Sequence, residues 1–326
     1  MAKGISLHIG VNRLNPVCYP MASFQGWETA VVIGKKQCVN VAGDYKIGWN
    51  GRLGRSSQCC EKDAEDLAEL ARKQGFKAKV LLTERATSAR VQGAMRKAAK
   101  KLTAGDIFLL TYAGHGSQVE DLTNDEMDNT DETWCLYDRM FLDDEQRMLY
   151  TEFAEGVRIL VLCDSCHSGT ATRSGKSGAK TRRRMHERLR ARAMPRETAS
   201  VIYRARKAEY DEIQLGLPNP PPELKASRIL ISACQDNETA MGDLVAGGCF
   251  TRALKRTWNE GAFEGNYEQF AEQIKQELKG QYEAAVDKNG GDASGVHRQQ
   301  PNFVAVAAGE RSRHLADFVK EKPFSV

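Results

Sequence analysis

Long hydrophobic stretches are absent: no apolar run approaches the ~20 residues that a helix needs to cross a bilayer. A strong charge of either sign is absent as well. Forty-seven Lys and Arg against 43 Asp and Glu leave +4, too little over this length to name a membrane surface or a nucleic acid as partner. Proline is sparse, with 9 in 326 residues, and neither a glycine period nor a heptad repeat runs through the chain, which excludes a collagen-like fibre and a coiled coil. The opening residues Met1–His8 carry one charge and few apolar side chains, unlike a secretory leader. The cysteines number nine, an odd count that reads as free thiols in a reducing, cytoplasmic compartment. What is present, 41% hydrophobic and 28% charged residues, is the composition of a globular chain long enough to bury a core.

The hydrophobic periods predict strands alternating with helices. Ile5–Val11 reads as a first strand. Glu61–Gly75 sets Ala64, Leu67, Ala68 and Ala71 at helical spacing, with Gly75 placed to end the helix. Lys77–Leu82 reads as a strand, and Thr87 as the cap of a helix whose apolar face is Val91, Met95, Ala98 and Leu102. Asp106–Tyr112, Val157–Cys163 and Arg228–Ala233 are near-continuous apolar runs, as expected of strands covered on both faces. Helices are predicted at 249–258 and 266–282, and a last strand at Asn302–Ala307. The pattern predicts an α/β fold with a mainly parallel central sheet and helices on both faces.

Two regions interrupt it. Residues 12–58 read as a long surface insertion. Arg173–Lys207 holds thirteen Lys and Arg against two Glu, and a Pro-rich stretch, Leu217–Glu223, follows. The expected organisation is a larger part, 1–172, a basic and Pro-rich linker, 173–226, and a smaller part, 227–326, that completes the same domain. The basic run suits a solvated helix or linker. As a nucleic-acid patch it lacks aromatic residues before Tyr203, which argues against base stacking.

Reactive groups in open α/β sheets gather beyond the carboxyl ends of the strands. Two such ends carry chemistry. One presents His115 between two glycines; the other presents Cys166, 51 residues later, in a Ser- and Gly-rich loop. A thiolate is the effective nucleophile, and an imidazole can take the thiol proton and later protonate a leaving amine. Glycines beside them admit a substrate backbone and free main-chain N–H groups, that of Gly116 among them, to stabilise an oxyanion. The plain alternatives are a small buried cysteine and a turn histidine. Cys163-Asp-Ser-Cys166-His167 also matches a haem-attachment pattern, but that needs export, and Cys163 belongs to a buried run. A zinc site lacks a second Cys/His pair at suitable spacing.

Tyr112-Ala-Gly-His-Gly-Ser117 and Asp164-Ser-Cys-His-Ser-Gly169 resemble the His and Cys boxes of the caspase-like cysteine peptidases, in particular the metacaspases and their bacterial relatives. The resemblance extends to Cys60-Glu-Lys-Asp63-Ala64, Asp131-Glu-Thr-Trp134, Leu142-Asp-Asp-Glu145, Ile231-Ser-Ala-Cys-Gln235 and Gly247-Gly-Cys-Phe-Thr251. It implies a caspase-like fold and an endopeptidase working through a dyad, with Cys166 as nucleophile and His115 as general base. It implies cleavage of protein or peptide substrates after Arg or Lys, with Asp63 and Asp164 forming the acidic pocket and Cys60 beside them. Self-cleavage within the basic linker is a further expectation. The chemistry needs no cofactor, although calcium is an activator in many such enzymes. The resemblance maps calcium ligands onto Asp131, Asp143 and Asp144, while this chain has Arg173 near the place where the family pattern has a further acid. A monomer is implied, without a membrane or nucleic-acid partner. The alternative is a catalytically silent caspase-like scaffold, or a binding protein that uses the basic arm.

Overall fold

Apolar residues at every second position of the strand-like runs, and at every third or fourth position between them, assemble a sheet with two buried faces. The computed structural model describes residues 2–19, 31–32, 38–39, 59–122, 130–165, 189–194, 196–234, 241–243, 247–288, 290, 299–307 and 312–326. In chain order these form β1 (Gly4–Gly10), the short pair β2 (Val31–Val32) and β3 (Cys38–Val39), α1 (Cys59–Lys73), β4 (Lys77–Leu82), α2 (Ser88–Ala99) and β5 (Ile107–Ala113). They continue with β6 (Gly116–Glu120), β7 (Thr130–Cys135), β8 (Met140–Leu142), α3 (Asp143–Thr151), β9 (Arg158–Asp164), β10 (Leu189–Ala191), α4 (Arg196–Ala205) and α5 (Lys207–Leu215). Last come β11 (Ser227–Ser232), β12 (Met241–Asp243), β13 (Gly247–Gly248), α6 (Cys249–Trp258), α7 (Tyr267–Lys288), β14 (Asn302–Val306) and α8 (Ser312–Lys320).

The main sheet has six strands in the order β14-β11-β9-β5-β1-β4. The five from β11 to β4 are parallel; β14 closes the edge antiparallel to β11. The two-residue period divides each strand between two cores. Ile107 and Leu109 join Leu67, Leu70, Phe250, Leu254, Phe270, Ile274 and Phe318, so α1, α6, α7 and α8 cover that face. Phe108 and Leu110 join Val91, Met95, Leu149, Tyr150, Ile202 and Tyr210, so α2 to α5 cover the other. Strands buried on both faces explain why β5 and β9 read as continuous apolar runs. Two small antiparallel sheets, β6-β7-β8 and β10-β12-β13, accompany the main one. No helix among the described residues is long and apolar enough to cross a membrane.

Three features differ from the sequence-based expectation. Thr87 stands at the N-cap of α2, but its side chain makes no capping bond. Asp138 serves instead, taking the Ser88 N–H on Oδ1 and the Ser88 hydroxyl on Oδ2, each at 2.8 Å. Within the segment read as a linker, α4 and α5 bury Ala199, Ile202, Tyr203 and Tyr210 against the core, and Arg192, Ala193 and Met194 are buried as well. The stretch from Gly116 to Gly156, whose polar residues give no clear period, supplies β6, β7, β8 and α3. Of the insertion at 12–58, Tyr19 is buried and donates to the Leu136 carbonyl at 2.7 Å. Residues 20–30, 33–37 and 40–58 of the insertion, and the basic residues from Arg173 to Arg188, lie outside the described residues.

Because the cap bond of α2 comes from Asp138, Asp138→Ala should lower the stability of the chain by about 1 kcal/mol, whereas Thr87→Ala should change it little. Urea unfolding of the two variants checks this, and equal losses would contradict the assignment.

Candidate active site

The site lies at the carboxyl ends of β5 and β9. The two strands are hydrogen-bonded neighbours, with Ala113 opposite Asp164, so the chain leaves both at the same level of the sheet. His115 stands two residues beyond Ala113. Its carbonyl accepts from the Tyr112 hydroxyl at 2.8 Å and from the Cys135 N–H at 2.9 Å. The Tyr112 ring in turn stacks on Trp134, with centroids 4.5 Å apart and planes 4° from parallel. An aromatic pair and a hydrogen-bonded turn thus fix the backbone that carries the imidazole. Cys166 stands two residues beyond Asp164 and lies outside the described residues.

A buried ionic cluster adjoins His115. Arg192 is only 2% exposed, and its guanidinium pairs with both Asp63 and Asp164. The pair with Asp164 measures 2.9 Å, and Arg192 Nη1 also donates to the Asp164 carbonyl at 3.0 Å. The two carboxylates come from different elements and are held independently. Asp63 lies on α1, near its N-terminus, and accepts the Gly248 N–H at 3.0 and 2.9 Å on its two oxygens. Asp164 ends β9 and accepts the Thr251 N–H at 3.2 Å and the Thr251 hydroxyl at 2.7 Å. Thr251 lies in the first turn of α6, where the helix dipole favours an anion.

Local sequence explains how these groups meet. Asn12, just after β1, accepts the N–H groups of Cys60 and Glu61 at 3.1 Å each and so anchors the start of α1. Gly10 permits this approach, since a Cβ there would lie 2.5 Å from the Cys60 carbonyl oxygen. At the far side, Gly247 has φ +92°, and a Cβ would lie 2.5 Å from Asp63 Oδ1. A Cβ on Gly248 would overlap Asp164 Oδ2 and lie 2.9 Å from both terminal nitrogens of Arg192. The two glycines leave the volume in which the guanidinium sits.

The electrostatics follow from burial. Burial alone would push the Arg192 guanidinium down, but Asp164, Cys60 and Asp63 outweigh it and hold it well above the ordinary guanidinium value. Burial raises the Asp63 carboxyl, with Arg192 opposing. Burial, then the charge of Arg192, pushes His115 down from 6.5 to about 3, so its imidazole is neutral at neutral pH. Cys59 lies beside the cluster and takes a bond from Arg192 Nη2 at 3.7 Å. Its thiol is pushed down to about 7, chiefly by the hydrogen bond with Cys60 and then, against burial, by Arg192.

The backbone around Arg192 has its own geometry. Gly116 donates its N–H to the Arg192 carbonyl at 3.0 Å and accepts the Met194 N–H at 2.7 Å, a parallel bridge centred on Ala193. Just before it, β10 pairs antiparallel with β12, Leu189 opposite Asp243 and Ala191 opposite Met241.

The structure therefore brings together His115, Gly116, Asp63 and Asp164, with Cys60 behind Cys59, their sulfurs 3.9 Å apart. It keeps Asp131, Asp143 and Asp144 elsewhere, on β7 and at the start of α3. No group of three or more His, Cys, Asp or Glu able to hold a metal ion occurs among the described residues. Sequence reasoning did not single out Arg192, Gly247, Gly248 or Thr251 as site residues. The last three sit in a motif already noted, Gly247–Thr251. Arg192 is one of the thirteen basic residues of Arg173–Lys207 and carries no distinguishing local signal.

Comparison with known proteins gives consistent results. The family model described as "Caspase domain" matches residues 30–309. The chain is 29% identical over 177 residues to Metacaspase-1 of Kluyveromyces lactis, which covers 50% of this chain and 38% of that protein. It is 40% identical over 73 residues to Metacaspase-1 of Arabidopsis thaliana, covering 21% and 20%. The matched part thus spans well under half the length of these curated relatives. Protein GSU0716 from Geobacter sulfurreducens, known from a crystal structure, is 37% identical with 99% of both chains covered and a TM-score of 0.71.

His115 and the buried His8, also pushed down to about 3 by burial and then by Arg72, give the fold an acid-sensitive element. Each is neutral when folded and has an ordinary value of 6.5 when unfolded, so on acidification the unfolded chain takes up the proton first. Their contribution is fully present above about pH 6.5 and is lost as pH falls towards 3. Urea midpoints measured between pH 7 and 4 should therefore drop, and drop less in His8→Asn; identical slopes would contradict the neutral, buried state of His8.

Proposed function

The chain belongs to the caspase-domain family, and from that premise we propose that it is a cysteine endopeptidase that cleaves after Arg or Lys through a Cys166–His115 dyad. The observation that carries the reading is the buried pair of carboxylates, Asp63 and Asp164, which accepts a guanidinium beside the catalytic histidine. A cation taken out of water must find fixed opposite charge, so a site of this kind selects a substrate side chain that brings one.

The steps follow from the groups present. His115, neutral at working pH, draws the proton from the Cys166 thiol. The thiolate attacks the carbonyl carbon of the residue whose side chain fills the acidic pocket. The Gly116 N–H, which already donates to a carbonyl oxygen at 3.0 Å, serves as an oxyanion donor. His115 returns the proton to the leaving amine, and water then hydrolyses the thioester and restores the thiol. Protein or peptide substrates are the implied partners, and processing within the chain's own basic region follows from the same specificity.

The pocket geometry favours arginine. A guanidinium presents a fork of N–H groups that bonds the Asp63 carboxylate and the Asp164 carbonyl while pairing with the Asp164 carboxylate, whereas a lysine ammonium is a single point charge. Reporter peptides ending in Arg should be cleaved at least about tenfold better, in kcat/KM, than those ending in Lys, with none cleaved after Asp. Preference for Asp would reject the pocket assignment, and cleavage that survives Cys166→Ala would reject the nucleophile.

Gly248→Ala supplies a second check. Its added methyl would occupy the space between Asp164 and the guanidinium. Turnover of Arg reporters should fall by about two orders of magnitude, a loss of roughly 3 kcal/mol in transition-state stabilisation. Unchanged kcat/KM in a folded Gly248→Ala chain would place the substrate elsewhere.

A further inference from the structure

Two thiols stand side by side at the head of α1. Cys59 is the first residue of the helix and Cys60 the second, and their sulfurs lie 3.9 Å apart. With Ala113, at the end of β5, they form a small apolar cluster separate from the two main cores. Cys59 also takes the bond from Arg192 Nη2 at 3.7 Å. The positive end of the helix and a fixed guanidinium therefore act on one sulfur, and both favour its thiolate. Cys59 keeps 9% of its surface in solvent, against 4% for Cys60.

The two sulfurs are unequal. The Cys59 thiol stands at about 7, lowered first by its bond with Cys60 and then, against burial, by Arg192, with Asp63 opposing. Cys60 is raised by that same bond, by burial and by the Cys59 charge, while Arg192 lowers it. Cys135, Cys163 and Cys249 are pushed up by burial. An ionisable thiol that solvent reaches, touching a protonated one, is the arrangement of an attacking and a resolving cysteine.

We propose that Cys59 and Cys60 form a reversible oxidation site for hydrogen peroxide, with Cys59 as the attacking sulfur and Cys60 as the resolving thiol. Its chemistry is independent of the peptidase reading above. In the first step the Cys59 thiolate, its proton given up to solvent, attacks one peroxide oxygen. The S–O bond forms, the O–O bond breaks, and the departing hydroxide takes a proton and leaves as water. Sulfur loses two electrons, the peroxide gains them, and Cys59 becomes a sulfenic acid. The Cys59 charge is then gone, so the Arg192 charge acts on Cys60 with less opposition. In the second step the Cys60 sulfur attacks the sulfenic sulfur. The S–S bond forms, the S–O bond breaks, and hydroxide leaves with the Cys60 proton as water. Overall, two thiols and one hydrogen peroxide give one disulfide and two waters.

This disulfide does not fit a regular helix. Consecutive helical residues point about 100° apart, and their α-carbons lie about 3.8 Å from each other, closer than disulfides prefer. The head of α1 must give up its first residue, and the strained bond stays easy to reduce. Asp63 lies one turn further along the same face, so the change is made beside the acidic pocket.

The test uses the full chain carrying Cys166→Ala, so that the assigned nucleophile does not compete. The protein is treated with hydrogen peroxide at neutral pH, quenched with N-ethylmaleimide and mapped by mass spectrometry. An internal disulfide between Cys59 and Cys60 is expected, forming at least about tenfold faster than oxidation of the more exposed Cys18. Dithiothreitol should restore both thiols. Equal rates at the two places, or faster oxidation of Cys18, overturn the site. Adding Cys60→Ser should leave a dimedone adduct on Cys59, and adding Cys59→Ser should leave Cys60 unoxidised. A dimedone adduct on Cys60 in the Cys59→Ser chain overturns the assigned roles. Where an added variant does not fold, the disulfide in Cys166→Ala decides alone: a pair that stays reduced while Cys18 is oxidised overturns the proposal.

Discussion

A guanidinium held between two carboxylates out of water organises this end of the molecule. Such a cluster is costly to build, because each charge loses its hydration and must recover it from fixed partners. The chain supplies those partners from separate elements. Asp63 comes from the start of α1, Asp164 from the end of β9, the Gly248 amide from β13, and the Thr251 amide and hydroxyl from α6. Three segments distant in sequence, the last running from β13 into α6, must therefore be in register before Arg192 can be buried. Neighbouring features serve that requirement: the Asn12 side chain that fixes α1, and the two glycines that keep the cavity open. The same cluster acts on the His115 imidazole, since the Arg192 charge adds to burial in keeping it neutral.

The parallel sheet supplies the rest of the geometry. Adjacent parallel strands end at the same level, so whatever follows Ala113 and Asp164 must emerge side by side. Sidedness comes from the pleat. Phe108, Leu110 and Tyr112 point to the core beneath α2 to α5, and Tyr112, the last of them, reaches up to hold the His115 carbonyl. The β6-β7-β8 sheet braces the loop as well, through Trp134 stacked on Tyr112 and the Cys135 N–H on the His115 carbonyl. Gly116 begins β6 directly after the histidine, which gives one residue the two main-chain bonds to the Arg192–Met194 segment.

Much of this was legible in the sequence, and the reason is burial. β5, β9 and β11 are covered on both faces and so read as continuous apolar runs; α1 and α6 each bury one stripe and keep a clear helical period. The two loops carrying His115 and Cys166 stood out because glycine and serine cluster abruptly after such runs. β7 hid its strand character under polar residues, with Thr130, Asp131, Glu132 and Thr133 in succession. α4 was masked by composition: a segment rich in arginine reads as solvated, yet Ala199, Ile202 and Tyr203 share one buried face. The cap of α2 comes from Asp138, fifty residues from Ser88, and only tertiary structure could bring it there. The role of Arg192 was hidden for the same reason, since nothing local separates it from Arg190 or Arg188.

Arg192 fills the carboxylate pair from within the chain. Any other guanidinium could make no better contacts with Asp63 and Asp164 than Arg192 makes, and Arg192 comes with the burial of Met194 and of the α4 stripe, which a separate short peptide lacks. The emptied site is no refuge, because without a cation two buried carboxylates face each other and Asp63, already raised by burial, is driven towards its protonated form. The occupied state is thus favoured from both directions.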